Sequence, residues 1–133
     1  MTHSSIEESF FSWADTALAS AIPPSTVAFH FNLYEGEDSV HIQLMGTDSF
    51  AAGKVPELEY WPGAETFTTG EDVFEVPFAV AGSQWKEWLN TSIALVRSYI
   101  AEGRYAGILR ASRGVGIGFV SGDMYVLWQP EVA

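Results

Sequence analysis

Cysteine is absent from the 133 residues, which excludes disulfides, thiolate metal sites and cysteine nucleophiles. Bases are scarce: six Lys and Arg stand against 17 Asp and Glu, for a net charge of −11. So negative a chain repels phosphate backbones and anionic lipid, which argues against nucleic acid and membrane as partners. No apolar run reaches the about 18 residues that would span a bilayer without a charge or a breaker. The opening MTHSSIEESFFSW has no basic region before its first apolar run, so it is not expected to be a signal peptide, and a cytoplasmic protein is the default.

Familiar catalytic signatures are missing as well. No serine sits in a Gly-x-Ser-x-Gly elbow. Gly114-Val115-Gly116-Ile117-Gly118 has the look of a phosphate loop, but it lacks the Lys-Ser/Thr pair and runs into a turn rather than a helix. Glu57 with Glu59 is an alternate carboxylate pair that would suit a cation or acid/base work only if buried, and a solvated face is the plainer reading. Arg110 and Arg113 flank Ser112 as an anion site would, though offsetting the acidic half is the simpler role. No catalytic residue, cofactor or metal is assigned.

What the chain does have is a core. At 14.6 kDa it is expected to be a single domain spanning 1–133. Its 47% hydrophobic and 14% aromatic content excludes disorder. Ser4–Ala21 reads as a helix with Ile6, Phe10, Trp13 and Ala17 as its stripe, ended by Pro23-Pro24. Thr26–Tyr34 and Val40–Met45 alternate as strands. The four-residue loop Glu35-Gly36-Glu37-Asp38 sets Leu33 against Val40 and Phe31 against Ile42. That register makes His30 and His41 diagonal neighbours on the polar face, where they would seat two metal ligands and need a third from elsewhere. Two half-exposed strand histidines are the plainer reading.

Thr47–Gly70 is irregular, and Asp72–Phe78 is a third strand whose Pro77 marks an edge. Ser83–Glu102 is the longest helix, capped by Ser83, closed by a left-handed Gly103 and buried along Trp85, Leu89, Ile93, Val96 and Ile100. Tyr105–Ala111 is expected as a strand. Gly114–Val120 and Met124–Gln129 then form a hairpin about Ser121-Gly122-Asp123, with Val115, Ile117, Phe119, Met124, Val126 and Trp128 on one face. The other face is bare at Gly114, Gly116 and Gly118, open either to Trp85 or Trp88 of the long helix or to a partner. The fold class is α+β: a mainly antiparallel sheet of about five to six strands against two amphipathic helices, ordered α-β-β-(β)-α-β-β-β.

Charge is divided unevenly. Residues 1–85 hold 13 acids and one base, for −12; residues 86–133 hold four acids and five bases, for +1. An acidic surface suits a basic protein partner. Small size, no cysteine, high acidity, an α+β scaffold and no catalytic set together resemble the small acidic immunity proteins of contact-dependent and other polymorphic toxin systems. The resemblance is one of type over the whole chain; it matches no specific motif and carries no functional residue over. It implies an inhibitor of a cognate bacterial toxin, such as a nuclease with a basic cleft. Its contact residues are then expected among Glu35, Glu37 and Asp38 at the hairpin tip and Glu57, Glu59, Glu71 and Asp72, with Tyr60 and Trp61 as aromatic anchors. Two other classes stay open. One is a small-molecule binder or enzyme with a pocket lined by Trp85, Trp88, Tyr99 and Trp128. The other is a subunit of a larger assembly joined through a sheet edge.

Overall fold

The computed structural model describes residues 2–20, 22–48, 50–51, 61–62, 65–119 and 124–129; residues 2–5, 50–51, 61–62 and 124 are described by backbone alone. The helices are α1 (Thr2–Ala19), α2 (Phe78–Ala81), α3 (Trp85–Glu102) and α4 (Ala106–Arg110). The strands are β1 (Ala28–Glu35), β2 (Ser39–Thr47), β3 (Phe50–Ala51), β4 (Trp61–Pro62), β5 (Glu65–Thr68), β6 (Phe74–Pro77), β7 (Val115–Phe119) and β8 (Met124–Trp128). Strands β3 and β4 pair with each other, and the other six form a sheet ordered β5-β2-β1-β7-β8, with β6 also on β2. All its pairings are antiparallel except β1 with β7. This is the expected α+β architecture.

One face of the sheet makes the core. Phe29, Phe31 and Leu33 of β1 share that face with Ile42 and Leu44 of β2 and Val115 and Ile117 of β7, all buried. Phe10 of α1 seats its ring against Phe31, Phe74 and Tyr99 at centroid separations of 6.3, 5.2 and 6.3 Å, so one residue ties α1 to the sheet and to α3. The buried side of α3 is Leu89, Ser92, Leu95, Val96, Tyr99 and Ile100, turned from the stripe expected through Trp85 and Ile93. Polar partners permit that turn: Ser92 Oγ donates to the Trp88 carbonyl at 2.8 Å and the Tyr99 hydroxyl donates to Asp15 at 2.7 Å.

Several local expectations are corrected. Tyr105–Ala111 is not a strand: Ala106 and Leu109 are buried one helical turn apart, and Arg110 of α4 donates to the Ile100 carbonyl at the end of α3. Gly103 is not left-handed, with φ −66°; glycine is needed there because a Cβ would meet the Tyr99 ring at 2.5 Å. Ser83 does not cap α3, whose N-cap is Gln84; its N–H and hydroxyl instead donate to the Glu87 carboxylate at 2.7 and 3.1 Å. Strand β5 lies inside the stretch expected to be irregular.

Both hairpin registers also differ. In the first, Leu33 faces Ile42 and Phe31 faces Leu44, because Gly36 and Ser39 close with a 2.7 Å backbone bond and only Glu37 and Asp38 form the tip. The shift of two keeps every side chain on its expected face. In the second, Ile117 faces Tyr125 while Val126 and Met124 pair with Gly116 and Gly118, so of the β8 residues expected on the face of Val115, Ile117 and Phe119 only Trp128, opposite Val115 across a register shift, is found there. An odd number of residues between paired partners reverses the parity. The turn expected at Ser121-Gly122-Asp123 lies outside the described residues. Gly116 and Gly118 pair in register with His30 and Asn32, on the sheet face away from the helices, so neither Trp85 nor Trp88 packs on them.

Candidate protein-binding surface

The first hairpin ends in carboxylates. Glu35 closes β1 opposite Val40, and Glu37 with Asp38 occupies the two-residue tip. All three are exposed, and none is ion-paired with a Lys or Arg among the described residues. The tip is held against the rest of the fold through backbone: the Phe78 N–H, opening α2, donates to the Asp38 carbonyl at 3.1 Å.

From that junction a chain of contacts leads to an exposed tryptophan. The Phe78 ring stacks on Trp88 at 4.8 Å and 11°, and the Trp88 indole N–H donates to the Gly82 carbonyl at 2.8 Å. Gly82 turns the chain between α2 and α3 at φ 121°, a conformation open to glycine. Glu87, gripped by Ser83, has its carboxyl held below the usual range by the Ser83 backbone N–H and then its hydroxyl, so it stays charged. This turn presents Trp85 on the first turn of α3 with 52% of its surface in solvent. An edge contact at 6.4 Å ties its ring to Phe119, and the Lys86 ammonium lies 5.7 Å from its centroid. Phe119 pairs in register with Leu33, two residues before Glu35, so Trp85 and the acidic tip stand at the same end of the sheet.

The remaining expected contact residues divide. Glu71 and Asp72 are exposed at the connection between β5 and β6, and the Trp13 indole N–H donates to the Asp72 carbonyl at 3.1 Å. With Glu65 and Glu75 they make the β5/β6 edge of the sheet acidic. Glu71 and Asp72 precede β6 and so stand away from the tip by at least its about 10–13 Å length, whereas the Glu75 carboxylate accepts from Ser39 Oγ beside the tip at 3.2 Å. Glu57, Glu59 and Tyr60 lie outside the described residues, and Trp61 is described by the backbone of β4 alone. Trp85 was missed as an anchor because helical spacing assigns it to the buried stripe. The available signal was its place in a first turn flanked by Gln84, Lys86 and Glu87, where a helix overhangs what it packs on.

Other candidate sites do not assemble as expected. Trp85, Trp88, Tyr99 and Trp128 do not converge on one pocket: Trp85 faces solvent, Trp88 covers Phe78, and Tyr99 is buried with Phe10 and Phe11. The corrected register moves His30 opposite Met45 and His41 opposite Tyr34, four residues and about 13 Å apart along the strands, so they are not diagonal neighbours. His41 packs edge-on against Tyr34 at 5.0 Å and lies 3.9 Å from the Glu75 carboxylate. Among the described residues no three His, Asp or Glu side chains gather as a metal site, and no helix is long and apolar enough to cross a membrane. Comparison with protein-family models, curated proteins and solved structures finds no match for this chain.

Proposed function

We propose that this chain is an inhibitory protein-binding domain, an immunity protein that neutralises a cognate bacterial toxin with a basic active-site cleft, such as a nuclease. The reading is supported above all by Trp85, more than half exposed at the end of the sheet that carries Glu35, Glu37 and Asp38. Interface energy concentrates in a large aromatic ringed by polar groups, and unpaired carboxylates suit the cationic groups with which a nuclease holds phosphate. The net charge of −11 would speed the encounter over long range. In this reading Trp85 is the anchor, Glu35, Glu37 and Asp38 its acidic surround, and Glu71 and Asp72 a second acidic patch. The protein acts by occlusion in the cytoplasm, with no chemistry of its own and no cofactor.

The test is co-expression with the product of the adjacent gene, reading cell survival and complex formation. Rescue that is lost with Trp85→Ala and with Glu37→Lys/Asp38→Lys, while both variants keep their melting temperature, is the expected result. Absence of rescue and complex, or a complex indifferent to both variants, would count against the reading.

A further inference from the structure

The sheet has two unlike edges. On one side β2 is covered by β5 and β6, four residues each, which carry Glu65 and Glu75 and end on Pro77; short strands, charges and proline all discourage further pairing. On the other side β8 pairs only with β7 among the described residues, and its sequence MYVLW has neither charge nor proline. Beyond β8 lies a groove of about 570 Å³ between this edge and α3, walled by Ile93 and Arg97. The register shift at Leu127 matters here. Tyr125 opposes Ile117 and Trp128 opposes Val115, so the bulge turns both aromatics toward the side of the sheet that α3 covers. An edge unpaired among the described residues, the side chains of Tyr125 and Trp128 and a facing helix form a seat for an added strand.

Charge decides what fits. Arg97 is exposed, and among the described residues it makes no hydrogen bond or ion pair, in a chain where acids outnumber bases 17 to six. Among the described residues no other ionised side chain lines the groove. In a second copy pairing β8 with β8, the strand residues Met124–Trp128 themselves bring no carboxylate, and the copy adds a second Arg97. We infer that the groove between α3 and the outer edge of β8 takes an extended peptide segment as an added strand, with a carboxylate of that segment on Arg97. Backbone bonds along β8 supply affinity, and the guanidinium, able to bind a carboxylate through two N–H groups, supplies selectivity. This site is at the far edge of the sheet from the acidic strands β5 and β6 and does not depend on the toxin reading.

The test is selection of a displayed library of random seven-residue peptides on the intact protein, followed by titration of the enriched peptides and amide hydrogen exchange. Enriched sequences are expected to share an Asp or Glu, to slow exchange at residues 124–128, and to bind at least tenfold more weakly to Arg97→Gln. Trp85→Ala is expected to bind them unchanged, which separates this site from the toxin surface. No enrichment, enriched peptides without an acid, or equal binding by Arg97→Gln overturns the inference. So does concentration-dependent protection of residues 124–128 without peptide, since a second copy would then hold the edge.

Discussion

His30 is fully buried on the sheet face away from the helices, in register with Gly116. Burial, only partly offset by a hydrogen bond with Asn32, pushes its imidazole down from 6.5 to about 4. The unfolded chain takes up this proton below pH 6.5 and the folded chain only near 4, so between those values the unfolded state holds more protons. Stability from this group is therefore complete above pH 6.5 and is lost as pH falls toward 4, by about 2 kcal/mol at pH 5. Urea unfolding of wild type and His30→Gln from pH 7.5 to 4.5 checks this. The wild-type curve is expected to fall more steeply, and parallel curves would show that His30 does not titrate this way. Tyr99 is the second decisive residue. Its hydroxyl donates to Asp15 and accepts from the Tyr105 N–H at 3.2 Å, joining α1, α3 and the segment before α4. Burial, and then the Asp15 bond, holds that phenol above its ordinary range. Tyr99→Phe is expected to cost about 1–3 kcal/mol in chemical denaturation, because it leaves Asp15 and the Tyr105 amide short of a partner.

At the scale of elements, tight junctions position the site. Gly82 separates α2 from α3, and a Cβ there would be strained at φ 121° and would meet the Glu87 Cβ at 2.5 Å. Gly82→Ala is expected to destabilise the protein by about 1–3 kcal/mol and to move Trp85, seen as a shift in its fluorescence; an unchanged spectrum and melting temperature would refute this. Gly103 is the matching junction at the other end of α3. Gly103→Ala drives a methyl into the Tyr99 ring. In a double-mutant cycle its cost is expected to shrink when Tyr99 is already Ala, whereas additive effects would show that the two do not meet.

At the scale of the molecule the sheet is electrostatically polar. Acids collect on the β1–β2 tip and the β5/β6 edge, while β8 is uncharged and faces Arg97. Association at the acidic end should therefore be steered and salt-sensitive. Between 0.05 and 0.5 M salt, by order of magnitude, the association rate with a basic partner is expected to fall at least tenfold while dissociation changes little. Stopped-flow measurement checks this, and a salt-independent association rate would place the energy in apolar contacts alone.

Two helices and two strands could be read from side-chain period alone. The alternation of Phe29, Phe31 and Leu33 with Val40, Ile42 and Leu44 puts those residues on one face for any even-length loop, so the faces survived a register error of two. The β7–β8 hairpin had no such protection: its odd register moves Met124 and Val126 off the expected face, and only the register shift returns Trp128 to it. Short apolar runs carry no period: Ala106–Arg110 is helical because Ala106 and Leu109 find the core and Arg110 closes α3. Composition by itself determined the charge, the lack of thiol chemistry and the hydrophobic share of a folded core. Tertiary structure alone decided that Trp85 faces water at the end of the sheet that carries the acidic tip, and that Arg97 lies beside an edge strand that pairs only with β7 among the described residues. Helical spacing tells which residues share a face; it does not tell where the neighbouring layer ends. Trp85 lies on the stripe expected from spacing, but the buried side of α3 is turned away from it, and its ring meets the sheet at the edge of Phe119.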